Sequence, residues 1–140
     1  MMSPSNRVLV VDDDPAHIEL LSQYLHGHVG EVRGLTDSRQ VEAVFTEYQP
    51  DLVLLDLHMP DPDGLEVLRR LRGARLSLGY LPVIMLTADD GHVARNSALI
   101  LGADDFLIKP FDREEVILRV RNLLRTRQLY VEAREGRTER

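Results

Sequence analysis

Five residues of this chain have the types and positions needed to bind and transfer a negatively charged group. Three are aspartates, Asp12, Asp13 and Asp56, and the others are Thr87 and Lys109. Lys109 is the only lysine of a chain that contains sixteen arginines. An ammonium group is a compact point charge, whereas a guanidinium is a broad planar fork. The single lysine, at the end of an apolar run, therefore indicates a site that needs one small cation.

The chemistry best suited to these side chains is phosphoryl transfer. Oxygen ligands without a cysteine or histidine cluster favour Mg²⁺, which keeps several waters and takes few protein carboxylates. The metal and the lysine would neutralise phosphoryl oxygens, and an aspartate carboxylate can attack phosphorus to give an acyl phosphate. Without such cations, three neighbouring carboxylates would repel one another and raise the pKa of one of them.

Five apolar runs place these residues at the ends of predicted strands. Short, unbroken runs are typical of strands that are buried on both faces of a sheet. The first run ends before Asp12, the third before Asp56, the fourth at Thr87 and the fifth at Lys109. The second run is weaker, which favours an edge strand. The runs are residues 8–11, 32–35, 52–55, 82–86 and 106–108.

Helical patterns alternate with the apolar runs. The spacing of leucines predicts a third helix after residue 64, and a fourth helix falls within residues 91–101, before Gly102. Such alternation predicts an α/β fold, a doubly wound five-stranded parallel sheet with helices on both faces. The carboxyl ends of parallel strands share one edge, where ligands of these sheets bind. Helix starts are indicated at Asp14 with Pro15, at Asp37 or Ser38, and at Asp112.

Length and composition describe one globular domain. The chain has 140 residues, of which 44% are hydrophobic and 29% are charged. No apolar run reaches the roughly 20 residues of a membrane span, and residues 1–5 lack the layout of a signal peptide. The absence of cysteine excludes disulfides and thiolate metal sites, so a cytoplasmic location is expected.

The net charge of −6 is unevenly distributed. From Asp112 onward eight arginines accompany six acids, so the excess of acid lies in the preceding part of the chain. Surfaces that bind nucleic acids are usually basic, and the C-terminal segment is too mixed in sign to act as a basic arm. Direct nucleic-acid binding is therefore not expected.

Four motifs together resemble the receiver domain of two-component response regulators, from Arg7 to about Arg125. This resemblance implies a flavodoxin-like sheet with strand order 2-1-3-4-5. It also implies a disordered N-terminus at residues 1–6, a receiver domain at 7–125 and a helical extension or linker at 126–140. Residues 126–131 can continue the last helix, whereas residues 132–140 have the composition of a fraying, solvated end. The motifs are residues 10–15, 56–64, 86–88 and 102–111.

The resemblance assigns the metal and the phosphoryl group to four residues. Asp56 resembles the phosphoacceptor, which takes its phosphoryl group from the phosphohistidine of a partner kinase. Asp13 and Asp56 resemble carboxylate ligands of Mg²⁺, and Asp12 acts nearby or through water. The residue two past the acceptor, His58, gives its backbone carbonyl to the metal. Its side chain is interpreted as solvated; the alternative is that it makes dephosphorylation depend on pH.

The resemblance also implies a switch. Thr87 resembles the hydroxyl that bonds the phosphoryl group, and Phe106 the aromatic that turns inward when Thr87 moves. Lys109 resembles the lysine that pairs with a phosphoryl oxygen, and its bond to Pro110 is often cis in the family. Asp89, two past Thr87, would flank the phosphoryl group.

The implied protein is a signalling switch that catalyses only its own phosphorylation and dephosphorylation. Its expected partners are a sensor histidine kinase or phosphotransfer protein and a downstream output domain or protein. A homodimer through the face formed by the fourth helix, fifth strand and fifth helix, or through the C-terminal helix, is also implied. The sequence leaves open whether the chain is a stand-alone receiver or a piece of a longer regulator.

Three other functions would use some of the same residues. A receiver-like module that binds partners without phosphorylation is opposed by the intact acidic set. A Mg²⁺-dependent aspartyl phosphatase would have Asp-x-Asp after the first strand, whereas the residue two past Asp56 is His58. A flavin-binding module would need a loop rich in Gly, Ser and Thr after strand one, where Asp12, Asp13 and Asp14 stand instead. Asp14 itself is best explained as a helix cap.

Overall fold

The computed structural model describes residues 5–73, 79–88 and 92–138, and strands and helices alternate along these ranges. A single 3-10 turn, Ser38–Gln40, lies between the second strand and the second helix. The strands are β1 (Arg7–Val11), β2 (Glu31–Leu35), β3 (Leu52–Asp56), β4 (Val83–Thr87) and β5 (Asp105–Ile108). The helices are α1 (Pro15–Leu25), α2 (Val41–Tyr48), α3 (Gly64–Gly73), α4 (His92–Ile100) and α5 (Arg113–Thr138).

The strands form one parallel sheet in the order β2-β1-β3-β4-β5, which confirms the predicted fold and strand order. Val11 pairs with Leu55, and Thr87 pairs with Ile108. The C-terminal ends of the central strands are therefore level with one another. This register decides which side chains meet at the edge of the sheet.

Two hydrophobic cores cover the two faces of the sheet. Successive residues of a strand point to opposite faces, so β1 sends Leu9 and Val11 into one core and Val8 and Val10 into the other. The first core is completed by α2, α3 and α4, and the second by α1 and α5. β3 and β4 are buried along their whole length, as their unbroken apolar runs predicted.

The predicted helix starts are largely found where N-cap acids stand. The Asp14 carboxylate accepts the backbone N–H of Ala16 at 2.9 Å, and Pro15 opens α1. Asp112 does the same for Glu115 at the start of α5. Asp37 instead caps the 3-10 turn, so α2 begins three residues later than a direct cap would place it.

The last helix is longer than the sequence suggested. α5 runs for 26 residues to Thr138, so the expectation of a fraying end from residue 132 is wrong for that stretch. Arg127 forms an ion pair with Asp51 at 3.0 Å, and the ring of Tyr130 lies 6.0 Å from that of Tyr80. These contacts hold the helix just before residue 132, and within the later stretch the guanidinium carbon of Arg134 lies 5.9 Å from the centroid of the Tyr130 ring. Residues 139–140 lie outside the described ranges.

The N-terminal prediction is only partly open to comparison, because residues 1–4 lie outside the described ranges. The carbonyl of Asn6 accepts the N–H of Glu31 at 3.0 Å, so this residue already takes part in the sheet. None of the helices in the described ranges combines the length and the apolar character needed to cross a bilayer.

Replacing Arg127 with alanine should loosen the end of α5. Its partner Asp51 also accepts the backbone N–H of Arg7 at 2.7 Å, so the ion pair ties α5 to the start of β1. Exposed and half-buried pairs contribute about 0.2–1 kcal/mol, which corresponds to a few-fold faster amide exchange in residues 127–138. Hydrogen exchange measures this directly. Arg125→Ala is the matched control, because Arg125 is exposed on the same helix; equal exchange in the two variants would contradict the prediction.

Candidate functional site

Four of the predicted site residues meet at the C-terminal edge of the sheet. Asp12 follows β1, Asp56 ends β3, Thr87 ends β4 and Lys109 follows β5. Backbone hydrogen bonds extend beyond the strands and fix these residues in place. They run from Asp12 N to Leu35 O at 3.1 Å, from Leu57 N to Leu86 O at 2.9 Å and from Lys109 N to Thr87 O at 2.7 Å.

The three aspartates form one acidic cluster. Asp12, Asp13 and Asp56 each have a carboxylate oxygen within 4.8 Å of the others. Asp12 is fully buried and Asp56 is 2% exposed, whereas Asp13 is exposed. Hard oxygen ligands with one open side suit a Mg²⁺ ion that keeps part of its water shell. The residues present therefore fit the predicted metal.

Lys109 lies between the two buried acids. Its Nζ is 3.2 Å from Asp56 Oδ1 and 3.5 Å from Asp12 Oδ2, and the side chain is 17% exposed. The ammonium is therefore held in a mostly desolvated position. The lone lysine thus meets the acids that its position predicted.

The charge of Asp56 is only partly compensated. Burial, and then the neighbouring charge of Asp12, raise the pKa of the Asp56 carboxyl above its ordinary value. Lys109 and the backbone N–H of His58, which donates to Asp56 Oδ1 at 3.2 Å, act in the opposite direction. Since the raising effects prevail, an added cation would relieve a cost that the fold carries.

His17 is a site residue that the sequence analysis missed. Its Nδ1 lies 3.0 Å from Asp12 Oδ2 and its Nε2 lies 3.5 Å from Asp14 Oδ2. The edge of its ring faces the ring of Phe111, with centroids 5.9 Å apart. Asp12 also accepts the N–H of Asp14 at 2.9 Å, so its carboxylate is held from several sides. The available signal was position, because His17 lies in the first turn of the helix that Asp14 caps.

The residues predicted for the switch lie on β4 and β5. Thr87 is 2% exposed, and Phe106 is half-buried and pairs in register with Met85. The peptide bond between Lys109 and Pro110 is cis, as the resemblance indicated. Asp89, the other residue expected to flank the phosphoryl group, lies outside the described residues.

The loop after Asp56 is held against the start of α3. A Cβ on Gly64 would collide with the carbonyl oxygen of Asp56, so only glycine allows this approach. Gly64 N donates to Leu57 O at 3.1 Å, and Ser38 Oγ donates to Pro62 O at 2.7 Å. The side chain of His58 is exposed, in agreement with its interpretation as solvated.

The fold and the acidic site together define a doubly wound α/β domain with a carboxylate and lysine centre at its switch-point edge. The sequence matches the response regulator receiver domain over residues 8–121. The chain therefore belongs to the response regulator receiver family, as the four motifs indicated.

Known proteins of this family resemble the chain in sequence and in structure. It is 43% identical over 119 residues to the transcriptional regulatory protein TrcR of Mycobacterium tuberculosis, covering 85% of this chain and 45% of TrcR. It is 41% identical to the DNA-binding response regulator MtrA of Mycolicibacterium smegmatis, covering 85% and 50%. The chain thus spans about half the length of these curated relatives.

Two solved structures illustrate the likeness of fold. The chemotaxis protein CheY4 of Vibrio cholerae superposes with a TM-score of 0.78 at 25% identity, covering 85% of this chain and 98% of that one. The Francisella response regulator 1452 receiver domain gives a TM-score of 0.77 at 28% identity, covering 87% and 98%.

Replacing Asp56 with asparagine should stabilise the metal-free protein at neutral pH. A folded-state pKa raised above the unfolded value means that the folded state binds more protons between the two values. The free energy of unfolding of the wild type, compared with that of Asp56→Asn, therefore falls as pH rises above about 4. At neutral pH the wild type remains the less stable of the two proteins. Urea unfolding of both proteins from pH 3.5 to pH 7.5 measures this.

The control for that experiment is Asp61→Asn, which removes an exposed acid from the same loop. We expect its stability to follow the wild type at every pH. A wild type that gains stability over Asp56→Asn as pH rises would show that Lys109 and His58 outweigh burial.

Proposed function

We propose that Asp56 accepts a phosphoryl group from the phosphohistidine of a partner protein, and that the domain changes state as a result. The observation that carries this proposal is the placing of a buried carboxylate 3.2 Å from the only lysine and beside two further acids. Asp56 supplies the nucleophile, and Lys109 supplies a cation that can pair with a phosphoryl oxygen. Family membership supports the same assignment.

Asp13 and Asp56 are the carboxylates that would hold Mg²⁺, with Asp12 nearby or acting through water and His58 offering its backbone carbonyl. When bound, the ion neutralises oxygens of the transferring phosphoryl group. The acidic cluster and the raised pKa of Asp56 support the proposal, because both favour an added cation. His17 of α1 contacts Asp12 Oδ2, the same oxygen that lies 3.5 Å from Lys109 Nζ. Lys109 Nζ lies closer to Asp56, at 3.2 Å.

The transfer exchanges one bond for another. A carboxylate oxygen of Asp56 attacks phosphorus, a P–O bond forms, and the P–N bond to the donor imidazole breaks. The leaving imidazole keeps the electron pair and takes its proton from water. The product is an acyl phosphate on Asp56, and attack by water returns it to the free carboxylate and inorganic phosphate. In this proposal the domain thus catalyses only its own phosphorylation and dephosphorylation.

The state change passes through Thr87 and Phe106. The hydroxyl of Thr87 bonds the phosphoryl group, and Phe106 turns inward as Thr87 moves. Both lie on strands that lead to the α4–β5–α5 face, where Val93 is 82% and Ile100 is 85% exposed. Exposed apolar side chains on this face support its use as the surface that meets an output domain, an output protein or a second copy.

The partners we propose are a histidine kinase or phosphotransfer protein upstream and a transcription-controlling output downstream. The output is supported by the names of the relatives, TrcR and MtrA. It lies in the same polypeptide or in a separate one. We also propose a cytoplasmic location, which family membership supports.

Incubation with Mg²⁺ and acetyl phosphate should add a single phosphoryl group, measured by intact mass. The addition should be lost in Asp56→Asn and kept in Asp61→Asn, which alters an exposed acid of the same loop. No addition while Mg²⁺ binding is demonstrated by calorimetry would contradict the proposal. It would favour the alternative, a receiver that binds partners without phosphorylation.

Lys109→Arg should separate charge from shape. Nζ lies between oxygens at 3.2 and 3.5 Å, and a planar guanidinium cannot take the same place. We expect Asp56 still to be phosphorylated, but the NMR signal of the Phe106 ring should shift less on phosphorylation than in the wild type. An unchanged ring response would mean that only the charge of Lys109 matters.

A further inference from the structure

Three consecutive residues, the one just before β5 and the first two of the strand, each contact an arginine from a different helix. Two of the residues are acids and form ion pairs, whereas the third is an aromatic ring. The arginines come from α3, α5 and α4 in turn. The pairs are Arg72 Nη2 with Asp104 at 3.0 Å, Arg119 Nη1 with Asp105 at 2.8 Å, and Arg95 with Phe106, whose ring centroid lies 5.4 Å from the guanidinium carbon.

Arg95 differs from the other two in its partner. Its side chain is half-buried, and none of the ion pairs found among the described residues includes it. Its Nε is buried and has no hydrogen-bond partner in that part of the chain. Leaving a buried donor unpaired is unfavourable. The face of the Phe106 ring is the contact that offsets this cost, because a cation within about 6 Å of an aromatic centroid is attracted to it.

The ring that Arg95 covers is the one proposed to move. Phe106 is half-buried and packs against the core formed with α2, α3 and α4. A change to another staggered rotamer carries the ring to a different side of Cβ. The guanidinium then loses its present place over the face of the ring unless the Arg95 side chain changes rotamer or α4 moves. The contact therefore belongs to one of the two orientations of Phe106.

We propose that Arg95 is a positioning residue that holds Phe106 in the orientation described here and so opposes the switch. This rests on the proposed function, because it assumes that Phe106 moves when Asp56 is modified. Among the described residues no ion pair joins Arg95 to the acidic cluster, and its effect passes through the ring alone. The strength of this one cation–π contact then sets how readily the phosphorylated state forms.

Beryllium trifluoride with Mg²⁺, a stand-in for the phosphoryl group, provides the test. Arg95→Gln should bind it about two- to tenfold more tightly than the wild type, the range expected for losing one partly desolvated cation–π contact. Arg95→Lys keeps the charge without the planar group and should fall between the two. Arg69→Gln is the matched control, because Arg69 is an exposed helical arginine that pairs with Glu66 on its own helix, and it should bind like the wild type.

The ring itself gives a second readout. The chain has three phenylalanines, so ¹³C-labelled rings give few NMR signals, and Phe45, deep in the core, serves as the reference. Without the analogue, the Phe106 signal of Arg95→Gln should already lie part of the way toward its analogue-bound position. In a Phe106→Leu background, Arg95→Gln should change the affinity no further.

Two results would overturn the inference. One is a wild-type affinity and an unshifted Phe106 signal in Arg95→Gln, with folding verified by its melting curve. The other is an equal gain in affinity from Arg95→Gln when Phe106 is already leucine, which would assign the effect to charge rather than to the ring. Failure of the proposed function is recognised separately, because the Phe106 signal of the wild type would then not respond to saturating analogue.

Discussion

Negative charge buried at one edge of the sheet is the constraint on which the site depends. Asp12 and Asp56 are both almost inaccessible to water, and among the residues that the structure describes Lys109 is the one Lys or Arg that pairs with them. Burying charge is costly unless it is paired. Burial, and then the charge of Asp12, raise the pKa of Asp56 by more than Lys109 lowers it. A divalent cation would correct this imbalance, and a phosphoryl group would then meet the same lysine.

The parallel sheet keeps this arrangement in place. Strand register brings the carboxyl ends of β1, β3 and β4 to one level, and backbone hydrogen bonds beyond the strands hold Asp12 and Lys109 there. Apolar cores on both faces of the sheet stabilise this strand register. Gly64 lets α3 start in contact with the carbonyl of Asp56, which fixes the loop behind the acceptor. The repulsion among acids is thus opposed by packing over the whole domain.

Some of this could be predicted from sequence and some could not. Unbroken apolar runs predicted buried parallel strands, and the residues after each run then had to share an edge, which placed Asp56, Thr87 and Lys109. His17 was missed because its contact with Asp12 depends on how α1 is oriented over that edge. The length of α5 was underestimated because Arg134 lies over the ring of Tyr130, which in turn faces Tyr80, a residue remote in sequence. Hydrophobic periodicity indicates which side chains are buried, but it does not indicate which polar partner a surface arginine finds.

β5 links the acidic site to the helices that would transmit its state. Lys109 follows the strand and contacts Asp56, while the residues at its start hold arginines of α3, α4 and α5. The two ion pairs bind acids whose positions are fixed by the backbone, since Asp104 also accepts the N–H of Val83 at 2.8 Å. The third arginine contacts the ring that we propose to change rotamer. In the proposed switch, a displacement of Lys109 toward a phosphoryl group would leave the two ion pairs in place, whereas the contact between Phe106 and Arg95 of α4 could break.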